Sequence, residues 1–131
     1  MKDLFITSTL HADWNVSFNP KLCEALEKRG INCHLPQRDT NQHGTKEDIF
    51  LQNINGIKNS KKVLGVALNE SVNWGGEIGF AFGINKKIIA LKTKNHEIPL
   101  MLRYMVSDYL EVDDIDDIES YIDQLIEKIK N

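Results

Sequence analysis

Cysteine, proline and glycine are scarce in this chain of 131 residues: 2, 3 and 8 respectively. So few breakers exclude a low-complexity or Pro/Gly-rich chain, and two cysteines exclude a disulfide-built scaffold. Cys23 and Cys33 fall on different predicted elements with no metal-ligand spacing, so a reduced, cytoplasmic setting is expected. No apolar run approaches a membrane span, and the opening MKDLFITSTL reads as a strand, not a signal peptide. Basic charge is not in excess either. Lys plus Arg is 16 against 19 Asp plus Glu, a net charge of −3, which lacks the basic footprint of a nucleic-acid binder. What remains is 41% hydrophobic and 27% charged. That composition and length suit one domain over residues 1–131 with a proper core.

Periodicity predicts strands alternating with helices. DLFIT (3–7) is a short apolar run and the first strand. Asn19-Pro20 supplies an N-cap and first-turn proline for a helix that Gly30 closes, and INCHL (31–35) follows as a weaker strand. Residues 36–44 read as a polar connection without an element of its own. Thr45 with Asp48 forms a capping-box variant ahead of the stripe Ile49, Phe50, Ile54, Ile57. KKVLGVAL (61–68), KKIIALK (86–92) and SDYLEV (107–112) are further strands, and the segment between the first two becomes helical near Gly75. From Asp114 onward, Ile115, Ile118, Ile122, Leu125 and Ile129 mark an amphipathic helix with an acidic start. Short apolar strands alternating with helices imply an α/β doubly wound sandwich around a parallel sheet of five strands.

In such sheets ligands sit beyond the carboxyl ends of the strands. Three loops therefore matter. The first offers Thr7, Ser8, Thr9 and His11 for sugar or phosphate oxygens. The second spans residues 36–44. The third brings Ser71, Asn73, Gly75 and Gly76 ahead of Glu77. As a first-turn carboxylate, Glu77 would be kept ionised by the helix dipole. An ordinary helix-start glutamate explains it too. However, Trp74 and the run IGFAFGI set it at the edge of an apolar layer, and the two glycines let a ligand approach the backbone. A carboxylate there can attack an electrophilic carbon such as a sugar C1′. His34 and His43 lack partners at metal spacing, His96 in its polar turn reads as solvated, and Asp113 to Asp117 suit a helix start. No metal or cofactor is implied.

The segments NGIKNSKKVLGVALNE and GGEIGFAFGINKKIIAL, with the TST loop after the first strand, resemble the nucleoside 2-deoxyribosyltransferases. Residues 12–45 are the least alike. The resemblance implies a flavodoxin-like fold and cleavage of the N-glycosidic bond of 2′-deoxynucleosides or their 5′-monophosphates. The family's nucleophilic glutamate falls on Glu77. Attack on C1′ would give a covalent deoxyribosyl-enzyme that a second base or water resolves, as in retaining glycosidases. Around it the resemblance places Phe5 and Trp74 as walls for the base, and adds Met101 to the substrate-binding set.

This chain departs from the family's pattern at several positions. Asn53 stands where the transferases carry a base-positioning aspartate, and it cannot supply a proton. Ser71 replaces a second aspartate, as in the branch of 5′-monophosphate hydrolases, where that serine contacts phosphate. Thr9 falls on another phosphate-binding serine of that branch, and His11 replaces its arginine. Pro99 falls near the asparagine or serine that a neighbouring subunit donates.

The run ESVNWGGEIGFAFGINKKIIAL also resembles TIR-type domains, in which a serine and tryptophan precede a glutamate that cleaves the nicotinamide bond of NAD. A non-catalytic nucleotide-binding module on the same scaffold is the third reading. All three expect a small nucleoside or nucleotide partner and neither nucleic acid nor a membrane. The apolar segment EIPLMLRYMV (97–106) adds the expectation of a homodimer or higher oligomer.

Overall fold

A computed structural model describes residues 1–10 and 12–131. Five strands pair in parallel: β1 (Lys2–Thr7), β2 (Cys33–His34), β3 (Ser60–Val66), β4 (Lys87–Thr93) and β5 (Asp108–Val112). Their order, β2-β1-β3-β4-β5, is the flavodoxin-like doubly wound order, so the fold is as expected. The connections reverse direction across the β1–β3 pair, where Thr7 lies beside Gly65.

Alternation along each strand divides the core in two. Leu4, Ile6, Leu64, Val66, Ile89 and Leu91 face α1 (Asn15–Lys28) and α6 (Ile122–Lys130). Phe5, Val63, Ile88 and Ala90 face α3 (Lys46–Lys58), α4 (Val72–Gly83) and α5 (Leu100–Met105) through Ile57, Trp74, Ile78 and Leu102. Cys23 and Cys33 are both buried, free thiols in the α1 layer. Among the described residues, no helix is long and apolar enough to cross a membrane.

Several boundaries differ from the sequence expectation, each for a tertiary reason. The first helix starts at Asn15, not at Asn19-Pro20, and Pro20 lies inside it. The cause is buried amide bonding: Asn15 Nδ2 donates to Ser8 Oγ at 2.8 Å and to the Thr9 carbonyl at 3.0 Å, and Asn19 Nδ2 also reaches Ser8 Oγ. The 36–44 connection contains a short helix, α2 (Pro36–Asp39), held because Asp39 accepts from Leu35 N and Arg38 grips Glu27 and the Cys33 carbonyl. The second strand shrinks to two residues.

The capping box at Thr45 and Asp48 forms as expected, but of the apolar stripe behind it only Ile57 is buried. Phe50 is 59% exposed. The helix at Glu77 begins at Val72 rather than near Gly75, because Ser71 caps it. The 97–106 segment contains α5. The predicted C-terminal helix is broken: Asp114 bonds Asp116 N, a single 3₁₀ turn covers Ile118–Ser120, and α6 begins at Ile122. Ile115 and Ile118 are buried all the same.

Candidate active site

The carboxyl edge of β1 and β3 is stitched together by hydroxyls. Thr9 Oγ1 donates to the Asn69 carbonyl at 2.8 Å and accepts from Ser71 N at 3.1 Å. Asn69 makes this possible by turning the chain after β3 with φ +50°, a conformation asparagine tolerates better than most residues. Ser8 is buried, its oxygen shared between Asn15 and Asn19. The Thr9 proton and the Ser8 lone pairs are thus committed to the scaffold. His11 lies outside the described residues.

Ser71 Oγ accepts from Trp74 N at 3.1 Å and so fixes the start of α4. Trp74 belongs to the first turn of that helix and not to a loop. It is 1% exposed, it lies on Gly65, and its indole N–H donates to the Thr7 carbonyl at 3.3 Å. A Cβ at Gly65 would stand 3.0 Å from both the Trp74 and Ile78 side chains, so only glycine seats the indole there. Phe5 is equally buried, stacked on His34 with ring centroids 5.0 Å apart. Both rings build the floor of the edge and offer no open face to a base, a correction to their reading as ligand walls.

Glu77 sits one turn further on. It occupies the second turn of α4, beyond the strongest part of the helix field. The expected first-turn position is therefore not met, and burial pushes its carboxyl above the ordinary glutamate range, opposed by the Thr7 hydroxyl beside it. Around it Asn73 is exposed, Gly75 packs on Leu102, and a Cβ at Gly76 would meet nothing. On the β2 side, Asn53 Oδ1 accepts from the buried Thr40 hydroxyl at 2.8 Å, which orients the amide. Met101 is not part of this bonded group. It stands 72% exposed on α5.

Sequence reasoning missed a pair at the same edge. His96, expected to be solvated, places Nε2 2.8 Å from Glu70 Oε2, and the Glu70 side chain is only 8% exposed. The signal was positional. Glu70 follows β3 and His96 follows β4, so a parallel sheet brings both to its carboxyl edge. Asn15, Asn19 and Thr40 were missed for want of any such cue, since their roles arise from contacts distant in the chain.

The sequence model of the nucleoside 2-deoxyribosyltransferases matches residues 4–123. The chain belongs to the nucleoside 2-deoxyribosyltransferase family. Solved structures share the family's fold at low identity. A 2-deoxyribosyltransferase from Bacillus psychrosaccharolyticus superposes with a TM-score of 0.74 at 18% identity, covering 91% of each chain. The CMP N-glycosidase BcmB of Clostridium botulinum gives 0.72 at 19%, covering 95% of this chain and 99% of that one. The TIR domain of the Toll-related receptor TRR-2 from Hydra magnipapillata gives 0.72 at 21%, covering both chains fully. No curated protein sequence matches.

Proposed function

We propose that the chain cleaves or transfers at the N-glycosidic bond of a (deoxy)nucleoside or nucleoside 5′-phosphate, with Glu77 as nucleophile. The observation that carries this is the Glu77 carboxylate itself, poorly solvated at the carboxyl edge of β1 and β3 and opened to ligand by Gly76. A carboxylate stripped of water is a stronger nucleophile, and the Thr7 hydroxyl beside it favours its charged form. One Oε of Glu77 bonds to C1′ as the C1′–N bond breaks, and its electron pair leaves with the base. Water or a second base then attacks C1′ and frees Glu77.

Asn53 hydrogen-bonds the departing base without protonating it, so the proton comes from solvent or the base leaves already well hydrogen-bonded. Ser71 keeps its O–H for the ligand, since its oxygen lone pair is what caps α4. Thr9 serves indirectly, by clamping the Asn69–Ser71 turn. The family match and the relatives named for deoxyribosyl transfer and CMP N-glycosidase activity support this class of chemistry.

The same edge supports a second reading, NAD glycohydrolysis, because Ser71 and Trp74 precede Glu77 in a run that resembles TIR-type domains. The exposed apolar residues of α4 and α5, Val72, Phe82, Leu100, Met101 and Tyr104, favour a homo-oligomer.

The test is incubation with nucleosides, nucleoside 5′-monophosphates and NAD, followed by chromatography for free base. Base release that disappears in Glu77→Ala, by about a thousandfold or more, is the expected result. Activity retained in that variant removes the mechanism. Silence across the panel, with a ligand still raising the melting temperature, identifies a binding module instead.

A further inference from the structure

We propose that His96, held by Glu70, recognises the 5′-phosphoryl group of the ligand, so that this site takes nucleotides in preference to nucleosides. The inference rests on the glycosidic reading above. It starts from the 2.8 Å contact between Glu70 Oε2 and His96 Nε2.

The pair is ordered from inside to outside. Glu70 is 8% exposed, and among the described residues His96 is the only side chain bonded to its carboxylate. A quarter of the His96 side chain is open, and its Nδ1 has no protein partner among those residues. A ligand therefore meets the imidazole and not the carboxylate. An imidazole with one nitrogen on a carboxylate and the other open can place a single N–H···O bond on a phosphate oxygen while the carboxylate fixes the ring. Such charge-assisted bonds are among the stronger ones a site can offer.

Position supports the same partner. Glu70 immediately precedes Ser71, whose free O–H and helix start face the same turn, and it follows Asn69, which Thr9 clamps. The pair is thus rigidly tied to the helix that carries Glu77. Sheet order gives the direction: Asn53 and Thr40 lie toward β2, whereas Glu70 and His96 lie beyond β3 and β4. With C1′ at Glu77 and the base toward Asn53, C5′ runs toward His96.

Neighbouring charges are already engaged. Lys94 pairs with Asp113 at 3.1 Å, Lys92 with Glu111 at 3.5 Å, and Arg103 bonds the Ile98 carbonyl beside Glu97. His96 has a nitrogen left over. A 5′-monophosphate and the pyrophosphate of NAD present the same phosphoryl on C5′.

The experiment is calorimetric binding to the full chain carrying Glu77→Gln, which holds ligand without turning it over. The ligands are a nucleoside 5′-monophosphate, the matching nucleoside, deoxyribose 5-phosphate and NAD. His96→Gln is expected to weaken the monophosphate and deoxyribose 5-phosphate about tenfold and leave the nucleoside unchanged. The double variant Glu70→Gln with His96→Gln leaves no buried charge unpaired, so it keeps the fold and shows the same selective loss. Comparison of NAD with the monophosphate then tells which source of phosphoryl the site accepts.

Equal binding of nucleoside and monophosphate, or a His96→Gln effect that strikes both alike, overturns the inference. Base release dependent on Glu77 would still stand in that case. Conversely, phosphoryl-dependent binding lost in His96→Gln, without any base release by the unmodified chain, keeps His96 in this role and removes the glycosidic chemistry.

Discussion

The two helical layers on either side of the sheet are built to different standards. On the α1 and α6 side, Leu22, Leu26, Tyr121, Ile122, Leu125 and Ile129 are all buried, and the Tyr121 hydroxyl donates to the Ile115 carbonyl. The α3, α4 and α5 side buries Trp74 and Ile78 but leaves Phe50, Val72, Phe82, Met101 and Tyr104 in solvent, Tyr104 at 77%. Glu77 belongs to that second layer. Apart from Val16 on α1, the first layer is finished as a core, while the other keeps more apolar surface and the half-buried carboxyl of Glu77. The better-packed layer and the proposed nucleophile thus lie on opposite faces of one sheet.

Four substitutions, two of them read through pH, probe the contrast. Leu125→Ala removes a fully buried side chain from the closed layer, and a loss of about 2–5 kcal/mol is expected in urea denaturation. Tyr104→Ser in the open layer should cost within about 0.5 kcal/mol at the level of one chain. It should instead lower the mass measured by light scattering. Equal destabilisation by the two variants would erase the distinction between layers.

Glu77→Gln tests the same contrast through pH. The Glu77 carboxyl is raised in the fold, so its ionisation penalises the folded state above the ordinary glutamate pKa, and the penalty vanishes once pH falls below it. The variant should therefore melt about 2–4 °C higher at neutral pH and match the parent near pH 4. A lower melting temperature at neutral pH would mean that the carboxylate is well compensated.

The smallest effect belongs to His34. Burial holds its imidazole below the ordinary histidine range, and its Nε2 is buried without a partner. Stability that is complete above about pH 6.5 should decline as pH falls below that value, because the unfolded chain takes up the proton first. The slope of melting temperature between pH 7 and 5 should flatten in His34→Gln; an unchanged slope would assign the acid loss to other groups.

The fold was legible because its signals are local. Apolar runs at 61–68 and 86–92 and the Thr45–Asp48 cap specify their elements without help from distant residues. The first helix was misplaced because Asn19-Pro20 is a strong local start, and only the Ser8 contact, eleven residues away, outweighs it. Similarly, the acidic run before Ile118 reads as a helix start until its side chains bond the backbone in turns. Glu77 could be singled out from its glycines and the resemblance. Its displacement to the second turn and the pairing of Glu70 with His96 depend on how two loops meet in space, which periodicity does not encode.

The strand pairing of β1 has a consequence for synthesis. Its only earlier partner, β2, offers two register positions, opposite Leu4 and Phe5, whereas β3 pairs along its length from Lys2 to Thr7. On its β3 side Leu4 must wait for Lys62, about sixty residues later, which at roughly 5–20 residues per second is a delay of about 3–12 s. Throughout that interval the β3-facing edge of β1 keeps its backbone N–H and C=O groups unpaired within the sheet. A ribosome pausing ahead of Ser60 would prolong the exposure, and one pausing after Val66 would not.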